Sequence, residues 1–317
     1  MIYISPYSAE QASQWDSFVR TSRNGTFLFL RGYMDYHSDR FRDNSLIYRN
    51  EKGKIVAVMP CNAIGDELHS HQGLTYGGFI LAPSTHAYEV EAMFDVTKAY
   101  LREQGFKKWF YKPVPTIYHD IPTQEEEYFL WKNGARLIEC NLSSTIDYRA
   151  QQPLRIDSSR RYIANKLKKD DVRVDTNTPL QVFWPILCRN LENKYGAQPV
   201  HSLEEITLLQ SRFPENIRCC TAVSPTNEIL AGTVVYIFRQ VAHLQYSSAS
   251  EQGQSIGAQD FLYSALINHY KEMPQIHYFD LGTSNEEHGK ILNKSLNTYK
   301  EHFGARGVAY KRYLIEL

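Results

Sequence analysis

Nowhere does the chain contain the run of about 20 apolar residues that a membrane-crossing helix needs. Its first fifteen residues lack a basic stretch followed by an apolar one, so no secretory leader is expected. Cysteine is scarce and odd in number: Cys61, Cys140, Cys188, Cys219 and Cys220, with no CxxC spacing. That excludes a disulfide framework and predicts reduced thiols in a cytoplasmic protein. An excess of either charge is also missing. Lys plus Arg and Asp plus Glu both total 35, giving a formal net charge of zero. A polybasic, nucleic-acid-coating or membrane-surface protein is thereby disfavoured, although a local basic cleft is not. Low-complexity segments and long Gly, Ser or Pro linkers are absent too.

What is present is an ordinary globular composition, 43% hydrophobic and 22% charged, with many aromatics: 22 Tyr, 15 Phe and 4 Trp. A length of 317 residues suits about two domains. Internal similarity organises them. In the first half, apolar runs at 45–48 and 55–60 flank the turn Asn50-Glu51-Lys52-Gly53-Lys54, which reads as a hairpin. A third strand is expected at 74–81. A helix follows, with Val90, Met93, Phe94, Thr97 and Leu101 three and four apart. Then come a strand at 108–112, a helix at 125–132 and a strand at 137–148. The second half repeats the order: strands at 218–223, 229–238 and 241–247, a helix at 257–270, a strand at 277–281, a helix at 290–301 and a strand at 308–315. Helices are expected ahead of each hairpin, at 9–20 and 32–41 in the first half, and at 158–168, 180–195 and 202–212 in the second. Each copy ends helix, Gly-Ala-Arg, strand, at Gly134-Ala135-Arg136 and Gly304-Ala305-Arg306. The boundary is placed at 148–158, where Gln151-Gln152-Pro153 interrupts the pattern. The expected domains are 1–150 and 151–317.

This element order, used twice, resembles the tandem-GNAT FemAB-like transferases. The residues that carry the resemblance are Leu296-Asn297-Thr298-Tyr299-Lys300-Glu301-His302-Phe303-Gly304-Ala305-Arg306, similar to that family's aromatic-Lys-x-x-aromatic-Gly segment, and Tyr76-Gly77-Gly78. The resemblance implies an α/β (α+β) fold of two GNAT-like domains, each with a mixed, mainly antiparallel sheet flanked by helices. It implies an acyltransferase moving an acyl group to an amine acceptor, such as a cell-envelope precursor. The donor is expected to be acetyl-CoA or another acyl-CoA. A tRNA-dependent aminoacyltransferase acting on a peptidoglycan precursor is the alternative, although the chain lacks the long charged heptads of the helical arm found in several bridge-building members. A degenerate GNAT module that only binds a ligand or partner is the non-enzymatic alternative.

The fold places a diphosphate loop at Gln254-Ser255-Ile256-Gly257-Ala258-Gln259, where backbone N–H groups at a helix start would favour phosphate. The same residues also read as a plain glycine helix start. The matching place in the first half has no glycine, so donor binding is assigned to the second domain and an acceptor or scaffold role to the first. Lys300 matches the family's functional Lys, to stabilise an oxyanion or orient a phosphate, against a plain role as a solvated helix residue. Tyr246 and Ser247 end one strand and Asp280 and Thr283 the next, at the two strand ends that splay apart in this fold. Tyr246 or Ser247 would serve a leaving group or a carbonyl, and Asp280 would accept a proton, unless it caps a turn. Tyr76, Gly77 and Gly78 would form a substrate wall or a bulged strand end. Tyr299 and Arg306 complete the expected substrate set, Arg306 reading equally as a surface residue like Arg136. His69 and His71 share a face on an extended segment. No third ligand has a helpful spacing, so no metal is expected.

Overall fold

The computed structural model describes residues 1–317, the side chain of Tyr195 excepted. The chain divides into two compact units. Unit 1 is Met1–Asn141, Asn285–Ile291 and Ala309–Leu317; unit 2 is Leu142–Ser284 and Leu292–Val308. In chain order the elements begin β1 (Ile2–Pro6), α1 (Ala12–Thr21), α2 (Arg31–Met34), β2 (Leu46–Asn50), β3 (Ile55–Met59), β4 (Asn62–Ile64), β5 (Glu67–His69), β6 (Ile80–Leu81), α3 (Ala87–Glu103), β7 (Lys108–Tyr111), α4 (Glu125–Lys132) and β8 (Arg136–Asp147). They continue α5 (Ser158–Lys169), β9 (Arg173–Asp175), α6 (Leu180–Tyr195), α7 (Leu203–Arg212), β10 (Ile217–Val223), β11 (Ile229–Ile237), β12 (Val241–Ala249), α8 (Glu251–Ile256), α9 (Ala258–Lys271), β13 (Tyr278–Thr283), β14 (Asn285–Glu286), β15 (Ile291–Leu292), α10 (Lys294–Glu301) and β16 (Arg306–Glu316). Among the described residues, no helix is long and apolar enough to cross a membrane.

In unit 1, β1, β2, β3 and β6 form an antiparallel sheet. A second set joins β4 to β5, β5 in parallel to β7, and β7 to the end of β16. α3 buries Val90, Met93, Phe94, Thr97 and Leu101, the face that its apolar spacing predicts. Rings fill the core: Phe94 lies 5.6 Å from Trp109 and 5.2 Å from Phe79. The strand expected over 74–81 pairs only at Ile80–Leu81, with one bridge from Gly77 to Pro113. Gly78 explains the break. Its φ is +77°, and a Cβ there would stand 2.7 Å from the Tyr111 ring.

In unit 2 the strand order is β9-β10-β11-β12-β13-β8. Every neighbouring pair is antiparallel except β12 and β13. Those two run parallel for three rungs, Val241 with Tyr278, Ala242 with Phe279 and His243 with Asp280. The pairing then stops while β12 continues to Ala249. A register shift between β11 and β12 falls near the end of those rungs and turns β12 away from β13. α9 closes one face of the sheet through Leu262, Leu266, Ile267 and Tyr270. Burying a side chain of that size contributes about 1.5–3 kcal/mol, and Leu262→Ala would cost roughly 2–5 kcal/mol through the void it leaves.

Candidate functional site

The last parallel rung of unit 2 carries the densest polar cluster of the β12–β13 region. Asp280 has no exposed surface. Its Oδ1 accepts from Ser143 Oγ at 2.5 Å, Thr145 Oγ1 at 3.0 Å and the Gly282 amide at 3.2 Å. Its Oδ2 lies 2.9 Å from His243 Nδ1. A carboxylate only accepts, so Nδ1 carries a proton, and in the neutral ring Nε2 keeps the lone pair. Nε2 has no protein partner, and the imidazole is partly open to solvent. This is the arrangement that orients a histidine base. Sequence reading missed His243, because one histidine in an alternating strand has no pattern. The only usable signal was its position: the third residue of β12, as Asp280 is the third of β13.

Lys300 lies on α10, which starts at the Asn293 cap, where Asn293 Oδ1 accepts from the Leu296 amide at 3.0 Å. Lys300 is buried, and Nζ donates to Gly282 O at 2.9 Å and Thr283 O at 2.7 Å. Burial pulls the ammonium down to about 8, with Asp280 opposing the shift. Lys300 and His243 flank one residue: the ammonium binds the Gly282 carbonyl, and a Cβ at Gly282 would lie 3.7 Å from His243 Cε1. Of the expected chemical residues, the structure brings together Lys300, Asp280 and Thr283, the last through its backbone.

The expected open loop at 254–259 is corrected. Most of it is helix. Ser250 caps α8, accepting from the Gly253 amide at 3.1 Å. Gln254 and Ser255 lie exposed on α8, bonded to Ala249 O and Gln252 O. Gly257, at φ +76°, separates α8 from α9. Ala258 is completely buried, so its amide is closed to a ligand. The start of α9 already holds a carboxylate, Asp260, bonded to Arg160 at 2.6 Å and Tyr299 Oη at 2.8 Å. An acyl-CoA diphosphate, which the GNAT fold implies, meets no open amide at Ala258; Asp260, in the first turn of α9, caps none of its amides and pairs with Arg160 instead.

The other expected residues are dispersed. Tyr246 directs its hydroxyl to His201 Nδ1 at 2.5 Å and its ring edge to Trp184. Ser247 Oγ meets Thr233 Oγ1 at 2.8 Å and also bonds the buried Tyr263 hydroxyl, which burial pushes up to about 12. Tyr299 braces α9 through Asp260, with Arg160 over its ring, rather than lining open space. Arg306 is exposed and bonds the Ala305 carbonyl; Arg136 pairs with Glu316 on the surface. Tyr76, Gly77 and Gly78 belong to unit 1. Tyr76 packs against Tyr118 and Phe29, and Gly77 passes so close to Ser70 that a Cβ would stand 2.5 Å from its carbonyl oxygen. His69 and His71 do not share a face. β5 ends at His69, which stacks on Phe110, while His71 turns at φ +57° and stacks on His37.

Residues 182–300 match the acetyltransferase (GNAT) domain family. No curated protein matches the sequence. Among solved structures the chain is similar to FemX, at 10% identity and a TM-score of 0.68, covering 99% of this chain and 97% of that one. It is similar to the L-PGS of Bacillus licheniformis, at 12% identity and TM-score 0.61, over 98% and 92% of the two chains. It also resembles a tandem GNAT protein from the clavulanic acid biosynthesis pathway, at 13% identity and TM-score 0.55, over 100% and 98%. The chain thus carries a match to the acetyltransferase (GNAT) domain across residues 182–300 and shares the fold of FemX and of a tandem GNAT protein.

Proposed function

We propose that the chain is an acyltransferase that moves an acyl group from an activated donor to an amine, with the chemistry in unit 2. One observation carries this reading: a carboxylate-held imidazole and a buried ammonium flank Gly282 where β12 and β13 part. The amine nitrogen attacks the acyl carbonyl carbon. The C–N bond forms, the bond from that carbon to the leaving group breaks, and the leaving group departs with the electron pair. His243 Nε2 takes the proton from the amine, and Asp280 stabilises the imidazolium. The Lys300 ammonium, two of whose protons go to Gly282 O and Thr283 O, offers its third to the carbonyl oxygen as charge develops. The proton held on His243 then passes to the leaving group. No covalent enzyme intermediate is required.

The FemAB-like fold supports an amine on a cell-envelope precursor as the acceptor. For the donor, the buried Ala258 amide at the start of α9 favours a second reading over acyl-CoA. The 3′-ester of an aminoacyl-tRNA presents no diphosphate beside its acyl group, so it does not need a cradle at Gly257 and Ala258. The test supplies radiolabelled acetyl-CoA and radiolabelled aminoacyl-tRNA separately, with a panel of amines that includes muropeptide lysine and amino sugars. A labelled amide from either donor, lost in folded His243→Ala and Lys300→Ala variants, is expected. Consumption of neither donor would leave a ligand-binding module and remove the enzyme reading. tRNA transfer should also weaken steeply with salt, as phosphate contacts do.

A further inference from the structure

Unit 2 holds a cavity, of about 570 Å³, that shares no residue with the cluster around Gly282. Its inner wall is apolar: Ile146, Ile267 and Phe303 are all buried. Ser264 lies in that wall, 6% exposed, and its hydroxyl has no hydrogen-bond partner. The mouth is cationic. Arg155, Arg161 and Lys271 line it; among the described residues none of the three is in an ion pair or side-chain hydrogen bond, and no acidic residue lines the cavity. Asn165 and Asn268 add two amides.

The wall is also fixed in place. The segment 153–156, within the boundary expected between the two repeats, forms one side. It is pinned to the end of α10, where the Asp157 amide donates to His302 O at 2.7 Å. Gly304 passes beneath Leu154 so closely that a Cβ would stand 2.7 Å from the Leu154 carbonyl oxygen. The volume lies in the range that takes a small organic molecule.

We infer that this cavity binds an organic phosphate monoester: its apolar body lies against Ile267 and Phe303, and its phosphate sits between Arg155, Arg161 and Lys271. Two guanidinium groups and an ammonium match a dianion better than a carboxylate, and guanidinium forks bind phosphate oxygens in pairs. The ester is either free in solution or the headgroup of a lipid.

The probe is 1-naphthyl phosphate, titrated calorimetrically into the whole chain beside inorganic phosphate and 1-naphthol. One saturable site is expected, at least tenfold tighter for the ester than for either fragment. The surface double variant Arg161→Glu/Lys271→Glu should weaken it at least tenfold. Ser264→Leu, which fills the inner wall, should abolish ester binding. Vesicles containing phosphatidic acid distinguish the source: recovery with them that the double variant loses assigns a lipid headgroup, and no recovery alongside ester binding assigns a free ester. No saturable binding at millimolar ester, or equal binding by the wild-type chain and the double variant, would overturn the inference.

Discussion

His243 Nδ1 and Asp280 Oδ2 stand 2.9 Å apart across the last rung that joins β12 to β13. The pair therefore sits where the sheet stops being continuous, with the imidazole partly open and the carboxylate sealed. His243→Ala should lower the rate of amide formation about 10²–10⁴-fold, the usual contribution of a general base. The fold should persist, because Asp280 keeps Ser143, Thr145 and the Gly282 amide. Turnover with each donor, read beside circular dichroism, checks this; an unchanged rate removes His243 from the chemistry.

Lys300 sets a pH limit. Its ammonium is held to about 8 by burial. If the charged form acts, turnover should fall as pH rises past about 8, and Lys300→Arg should carry the plateau higher. Stability moves the opposite way. Between about pH 8 and the ordinary 10.5, the unfolded chain holds a proton that the folded chain has released. The cost of burying the ammonium is complete below pH 8 and fades as pH rises through that window. A rate profile flat from pH 7 to 9.5 would count against the charged form.

At the start of α9, Arg160 neutralises the buried Asp260. Arg160→Ala leaves that carboxylate bonded to Tyr299 and should cost about 3 kcal/mol, the low end for breaking a buried pair because Arg160 is partly open. Urea unfolding gives the number. Asp260→Asn in the same background should recover part of it, and simple additivity of the two changes would show that they do not interact.

In unit 1, burial raises Glu126 to about 8, while the Tyr111 hydroxyl that donates to it opposes the shift. The folded chain thus keeps a proton that the unfolded chain loses above the ordinary 4.5. This contribution is complete below pH 4.5 and is lost as pH rises through about 8. Glu126→Gln should flatten the fall in urea midpoint between pH 5 and 9. A slope unchanged from wild type would show that another group titrates.

The sequence was most legible where local chemistry agrees with packing. α4 and α6 have their expected bounds, 125–132 and 180–195, because apolar periodicity and end residues coincide there. The hairpin of β4 and β5 escaped notice, since strands of three residues, with Asn62, Glu67 and His69 among them, show no alternation worth reading. β9 was missed for the same reason. In the candidate site, Lys300 and Asp280 were singled out from their neighbours in the chain. Their partners Ser143, Thr145 and His243 were not, because only strand pairing brings those positions together. At 254–259, Gln254 and Gly257 match a motif whose meaning depends on open amides; the sequence could not show that 251–256 is helical and that Ala258 is buried.

Each half of the sequence completes its neighbour. Residues 309–317 supply unit 1 with the antiparallel partner of β7, and Leu142–Asp147 supply unit 2 with the partner of β13. During synthesis, unit 1 therefore waits for a strand made after all of unit 2, with β7 unpaired on that side until then. A gene cut between codons 150 and 151 would yield two polypeptides, each lacking a strand that the other carries. Expressed separately they should be poorly soluble; expressed together they should copurify by exchanging those strands.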